Sequence, residues 1–162
     1  MAPESAHTGV LTTTCDRIFD WARRRSVWPL EVGLGGCAAG LSRTPADPRH
    51  DMARFGPEVF RARPGQSELL IVAGTVSLKM APVIRRIWDQ MPTPRWSIVL
   101  AGCPVCDGGA ADPGERTYAI TRGIDRIIPV DLYAAGCPAR PEDLLQALLQ
   151  LQPRIEAMGV RT

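Results

Sequence analysis

The chain has 162 residues, 45% of them hydrophobic, with a formal net charge of +2, which suits one domain with a buried core. So small a charge, with Lys and Arg scattered apart from Arg23, Arg24 and Arg25 and no run of basic and aromatic residues, argues against a nucleic-acid-binding surface. No stretch approaches the roughly 20 apolar residues of a membrane span, and "MAPESAHTGV" lacks the basic-then-apolar order of a signal peptide.

Residues 1–12 are small and polar and read as a flexible tail, followed by a single domain over 13–156 and a second tail over 157–162. Over 14–25, Ile18, Phe19 and Ala22 share one helical face, with Cys15 above them as a core residue. The three arginines that follow suit a solvated helix C-terminus. "WPLEVGLG" reads as a first strand, "RTPADPRH" (43–50) as a loop, and "EVFRA" (58–62) as a short edge strand. The continuous apolar run of "ELLIVAGT" (68–75) predicts a buried strand ending at a glycine. A helix from Ala81 to Met91 follows, then the breaker "PTPR" and a further buried strand in "WSIVLAGC" (96–103).

"CPVCDGGAADPGER" reads as a long glycine-rich loop, with a short helix from Arg116 to Arg122 behind it. "RIIPVDLYAAGCP" supplies the last strand and turn. Pro141 then opens a helix running to about Gln152, beyond which Pro153 ends it. Strands alternating with helices predict an α/β domain with a mainly parallel central sheet. Ligands of such sheets bind at the carboxyl ends of the strands, and Cys37, Cys103, Cys106 and Cys137 all follow a predicted strand.

Four thiols gathered on one edge can hold a [4Fe–4S] cluster, and turns rich in glycine leave backbone N–H groups free to face its sulfides. They can also hold a structural zinc ion as a Cys₄ set, although zinc ribbons usually offer two CxxC pairs and only Cys103–Cys106 is present. A thioredoxin-like dithiol needs a helix behind "CPVC", and "DGG" stands there instead. "GLGGCA" (33–38) fits the dinucleotide fingerprint. Pro45 and Pro48 interrupt the helix it requires, however, and Asp51 lies in loop-like sequence. His7 and His50 fall in tail and loop, with no nucleophile–base pairing.

"WPLEVGLGGCAAG", "DMARFGPEVFRA", "LLIVAGTVSLKMAPVIRRIWDQMPTPRW" and "IPVDLYAAGCPARPEDLLQALLQLQ" resemble the B subunit of NADH–quinone oxidoreductase, respiratory complex I. That family is related to the small subunits of [NiFe] hydrogenases. The resemblance runs over roughly residues 17–156 and implies a flavodoxin-like, three-layer fold. It implies one [4Fe–4S] cluster passing electrons to quinone in a cavity shared with a 49-kDa-type subunit. It also implies no independent catalysis, and a place peripheral to the membrane on the cytoplasmic side of the bacterial plasma membrane.

The family's ligand positions fall on Gly36, Cys37, Cys103 and Cys137, so one ligand of a tandem cysteine pair is replaced by glycine. Gly40 likewise stands where the family has a glutamate. Cys106, in a loop longer than the family's, offers itself as the fourth thiolate. The alternatives are a three-cysteine site with another ligand such as Asp107, or a cluster-free structural or assembly subunit. The resemblance further implies that Arg54 lies near the cluster, where its cation would stabilise an anionic centre. It implies that Lys79 and Met80 lie near the quinone cavity; packing at a helix start is the plainer role for Met80.

Overall fold

The computed structural model describes residues 18, 21–22, 27–34, 60–100, 118–121, 123–134 and 140–158, the last three of these for their backbone. Four strands, β1 (Pro29–Gly33), β2 (Leu69–Ala73), β3 (Trp96–Leu100) and β4 (Leu132–Ala134), form one sheet in the order β1-β2-β3-β4, with every pairing parallel. Helix α1 (Ala81–Gln90) joins β2 to β3, and α2 (Pro141–Met158) follows β4. This is the three-layer α/β arrangement expected from the alternation of strands and helices.

Side chains along a strand alternate between faces, and the two faces here have separate covers. Leu69, Ile71 and Ala73 of β2 share one face with Trp96, Ile98 and Leu100 of β3 and with Leu132 and Ala134 of β4. Leu144, Leu148, Leu151 and Ile155 of α2, one helical stripe, close over them. Leu70, Val72 and Val99 point the other way, under Ile84 and Trp88 of α1 and under Met91, Ile124 and Ile128. With a helix on each side, β2 and β3 have no solvent face, and all ten of their residues are buried. The uninterrupted runs "LLIVA" and "WSIVL" are what such a position requires.

Four expectations are corrected. α2 does not stop near Gln152 but passes through Pro153 to Met158. An interior proline costs a helix about 3 kcal/mol. Burying Ile155 on the sheet beyond the proline returns about 1.5–3 kcal/mol, and Pro153 itself is exposed. The helix expected over 116–122 is absent at 118–121. Ile120 instead bridges Ser77 in antiparallel sense, with the Leu78 N–H on the Ala119 carbonyl (2.8 Å) and the Thr121 N–H on the Val76 carbonyl (2.9 Å). These bonds between segments about 40 residues apart satisfy backbone groups that a short helix would have left open at its ends.

The edge strand expected at 58–62 is no strand over 60–62, its described part; the Arg61 N–H makes one bond to the Pro29 carbonyl (2.8 Å). Ile18 and Ala22 are helical as expected, yet Ile18 is 52% exposed rather than in the core; Trp21, also helical, is 59% exposed. The faces of β2 and β3 are already covered by other elements. Cys15, Phe19 and both terminal tails lie outside the described residues, apart from the end of α2.

Candidate functional site

The register brings the carboxyl ends of all four strands into one row: Gly33 pairs with Ala73, Ala73 with Leu100, and Leu100 with Ala134. At about 4.8 Å per strand, the ends of β1 and β4 lie roughly 14 Å apart. Cys37 stands four residues past Gly33, Cys103 three past Leu100 and Cys137 three past Ala134. The four cysteines themselves, Arg54 and Asp107 lie outside the described residues. Among the described residues no group of three or more His, Cys, Asp or Glu side chains could hold a metal ion.

Where β1 and β2 end, two backbone segments meet closely. Gly74 has φ 95°, a left-handed conformation that side chains disfavour, and a Cβ built on it would lie 1.6 Å from the Leu34 carbonyl oxygen. The Leu34 N–H donates to the Ala73 carbonyl at 2.7 Å. Leu34 thus lies directly over the turn that leaves β2, three residues before Cys37. No pattern in the sequence announces this close approach, although a glycine ending an apolar run is its visible trace.

Lys79 is exposed and Met80 half-buried. Met80 packs against the core under α1. Its N–H donates to the Ser77 carbonyl (2.9 Å) and Oγ (3.3 Å), and its carbonyl accepts from Val83 and Ile84. Ser77, one turn before α1, thus accepts from the residues that open the helix and also bridges Ile120, which ties the approach to α1 to the 118–121 segment. Leu78 and Tyr118 stand exposed along that seam, at 55% and 92%.

At the opposite end of β3, Ser97 is fully buried. Its N–H donates to Asp131 Oδ2 (2.8 Å), its Oγ donates to the Pro129 carbonyl (2.6 Å), and the Asp131 N–H reaches Ser97 Oγ (3.2 Å). The Arg154 guanidinium of α2 bonds the Asp131 carbonyl. Burial pushes the Asp131 carboxyl above its ordinary value, opposed by the Ser97 N–H and the Arg154 charge. These bonds set the start of β4, the strand that leads to Cys137.

A parallel α/β domain with ligand-type residues beyond its aligned strand ends is the class these features define. The family description "NADH ubiquinone oxidoreductase, 20 Kd subunit" matches residues 35–151. A B subunit of the NADH-quinone oxidoreductase of Solibacter usitatus is 51% identical over 148 residues, covering 91% of this chain and 76% of that one. Subunit 6 of the Thermus thermophilus enzyme is 45% identical over 156 residues, 96% and 83% of the two chains. A chain in the structure of a membrane-bound sulfane sulfur reductase, an archaeal respiratory membrane complex, superposes with a TM-score of 0.73 at 28% identity. That superposition covers 86% of this chain and 76% of that one. The chain belongs to the 20 kDa, or B-subunit, family of NADH–quinone oxidoreductases. No helix among the described residues is long and apolar enough to cross a membrane.

Proposed function

We propose that the chain is an electron-transfer subunit of a complex I-like NADH–quinone oxidoreductase, carrying one [4Fe–4S] cluster on Cys37, Cys103, Cys106 and Cys137. The observation that supports this reading is the row of strand ends. A chain reaches at most about 3.3–3.6 Å per residue. Segments of four residues from Gly33 to Cys37 and three from Ala134 to Cys137 are therefore long enough to close the gap between the outer strands, with the end of β3 lying between those strands. The donor set also fits in number and chemistry: four thiolates, in glycine-bearing turns, are what such a cluster takes.

A bound cluster of this type supplies one-electron transfer at a potential set by charge, hydrogen bonds and solvent access. The chain's own residues would hold it, keep water away and supply charge. The Arg54 cation would favour the anionic centre. Lys79 and Met80, at the start of α1, would face a quinone cavity shared with a 49-kDa-type subunit. The exposed Leu78 and Tyr118 beside them suit a surface covered by sibling subunits, with the chain peripheral to the cytoplasmic side of the membrane.

A second reading follows from Gly36, which stands where the family has a ligand: a cluster-free structural or assembly subunit. Anaerobic co-purification with the sibling subunits, iron and sulfide analysis and low-temperature EPR separate the two. About four irons per chain are expected, lost in Cys106→Ser and regained when Gly36→Cys is added. A preparation without iron would sink the electron-transfer reading. Full iron in Cys106→Ser would remove Cys106 from the ligand set.

A further inference from the structure

We infer that Gly74 is a positioning residue for the cluster-bearing turn: by having no side chain, it lets Leu34 lie against the end of β2 and so sets where Cys37 emerges. This role rests on the proposed cluster; the close approach behind it does not. The Leu34 backbone occupies the space of a Cβ at residue 74, with its carbonyl oxygen 1.6 Å, its carbonyl carbon 2.8 Å and its Cα 3.5 Å from that position. All three are backbone atoms, so no rotamer change can relieve the collision. The N–H of the same residue is bonded to the Ala73 carbonyl at 2.7 Å. Leu34 is thus held by a donor bond on one side and admitted by a missing side chain on the other.

A methyl group at 74 must push the Leu34 carbonyl well away from its present place. Only two residues separate Leu34 from Cys37, and the displaced Leu34 carbonyl carbon is bonded directly to the first of them, so the segment leading to Cys37 starts from a changed position and direction. Gly65, with nothing within 4 Å of its Cβ position, is the contrasting glycine.

The test uses the subunit purified anaerobically in its complex. Gly74→Ala and Gly74→Asn are compared with Gly65→Ala and wild type for iron content, EPR g-values and midpoint potential. Asparagine tolerates a positive φ but still carries a Cβ. If the close approach matters, Asn and Ala both lose at least half the iron, or shift the EPR spectrum of what remains, while Gly65→Ala matches wild type. Wild-type spectra and iron in Gly74→Ala, or rescue by Asn, overturn the role. A wild type without iron overturns the cluster reading itself and the role with it. Should neither variant fold, amide exchange in the wild-type complex decides. Slow exchange at Leu34 with and without the cluster supports a turn set by Gly74; protection appearing only with the cluster overturns it.

Discussion

Asp131 and Ser97 show how a buried serine and a half-buried aspartate can set a strand's start. Ser97 is buried at a strand position where an apolar residue would ordinarily sit, yet its polar groups are paired: with the Pro129 carbonyl, the Asp131 N–H and the Asp131 carboxylate. Burial leaves Asp131 with a raised pKa. Its folded form therefore binds a proton more tightly than its unfolded form. The stability this provides is present below the unfolded pKa and is lost as pH rises through the raised folded value. Asp131→Asn keeps an acceptor for the Ser97 N–H and removes the half-buried charge. It should unfold at the same or higher denaturant concentration at neutral pH, and lack the Asp131-linked decline between acid and neutral pH that is expected of wild type. Asp131→Ala strands the Ser97 N–H and should cost about 1–3 kcal/mol, read from urea midpoints at both pH values. "IPVD" reveals the strand that follows but not this pairing, because the partners are 34 residues apart.

Strand identity was legible because β2 and β3 sit between two helical layers, and only continuous apolar runs suit that position. Helix ends were less so. Pro153 reads as a stop because local chemistry says so, but whether a helix survives a proline depends on what its next turn buries, and Ile155 is buried on the sheet. Pro153→Ala should therefore stabilise the chain by up to about 3 kcal/mol, and Leu151→Ala should destabilise it by about 2–5 kcal/mol; guanidinium midpoints check both. The expected helix at 116–122 failed for the converse reason. Over four described residues there, the bonding partners belong to the Val76–Leu78 segment, and no local pattern points to a partner so far along the chain.

Across the whole molecule, the apolar residues left outside mark where isolation ends. Leu78 and Tyr118 lie on adjoining segments tied by the Leu78–Ala119 bond, and neither contributes to the core clusters. Leu78→Glu should leave the unfolding midpoint of the isolated chain within about 0.5 kcal/mol of wild type, as surface changes do. If sibling subunits cover this seam as proposed, the same substitution should reduce their recovery in an affinity pull-down of this chain.

Much of this was written into local order. Apolar runs, the prolines that open α1 and α2, and cysteines placed just after strands are matters of short-range order, so the α/β class could be read from residues alone, and the proposal of a site at the carboxyl edge starts from them. Folding in three dimensions settled the rest. It aligned Gly33, Ala73, Leu100 and Ala134 in one row, laid Leu34 over Gly74 and joined Ser97 to Asp131. Each of these depends on partners distant in sequence, whose meeting is set by sheet register and packing, not by any property of the segments taken singly.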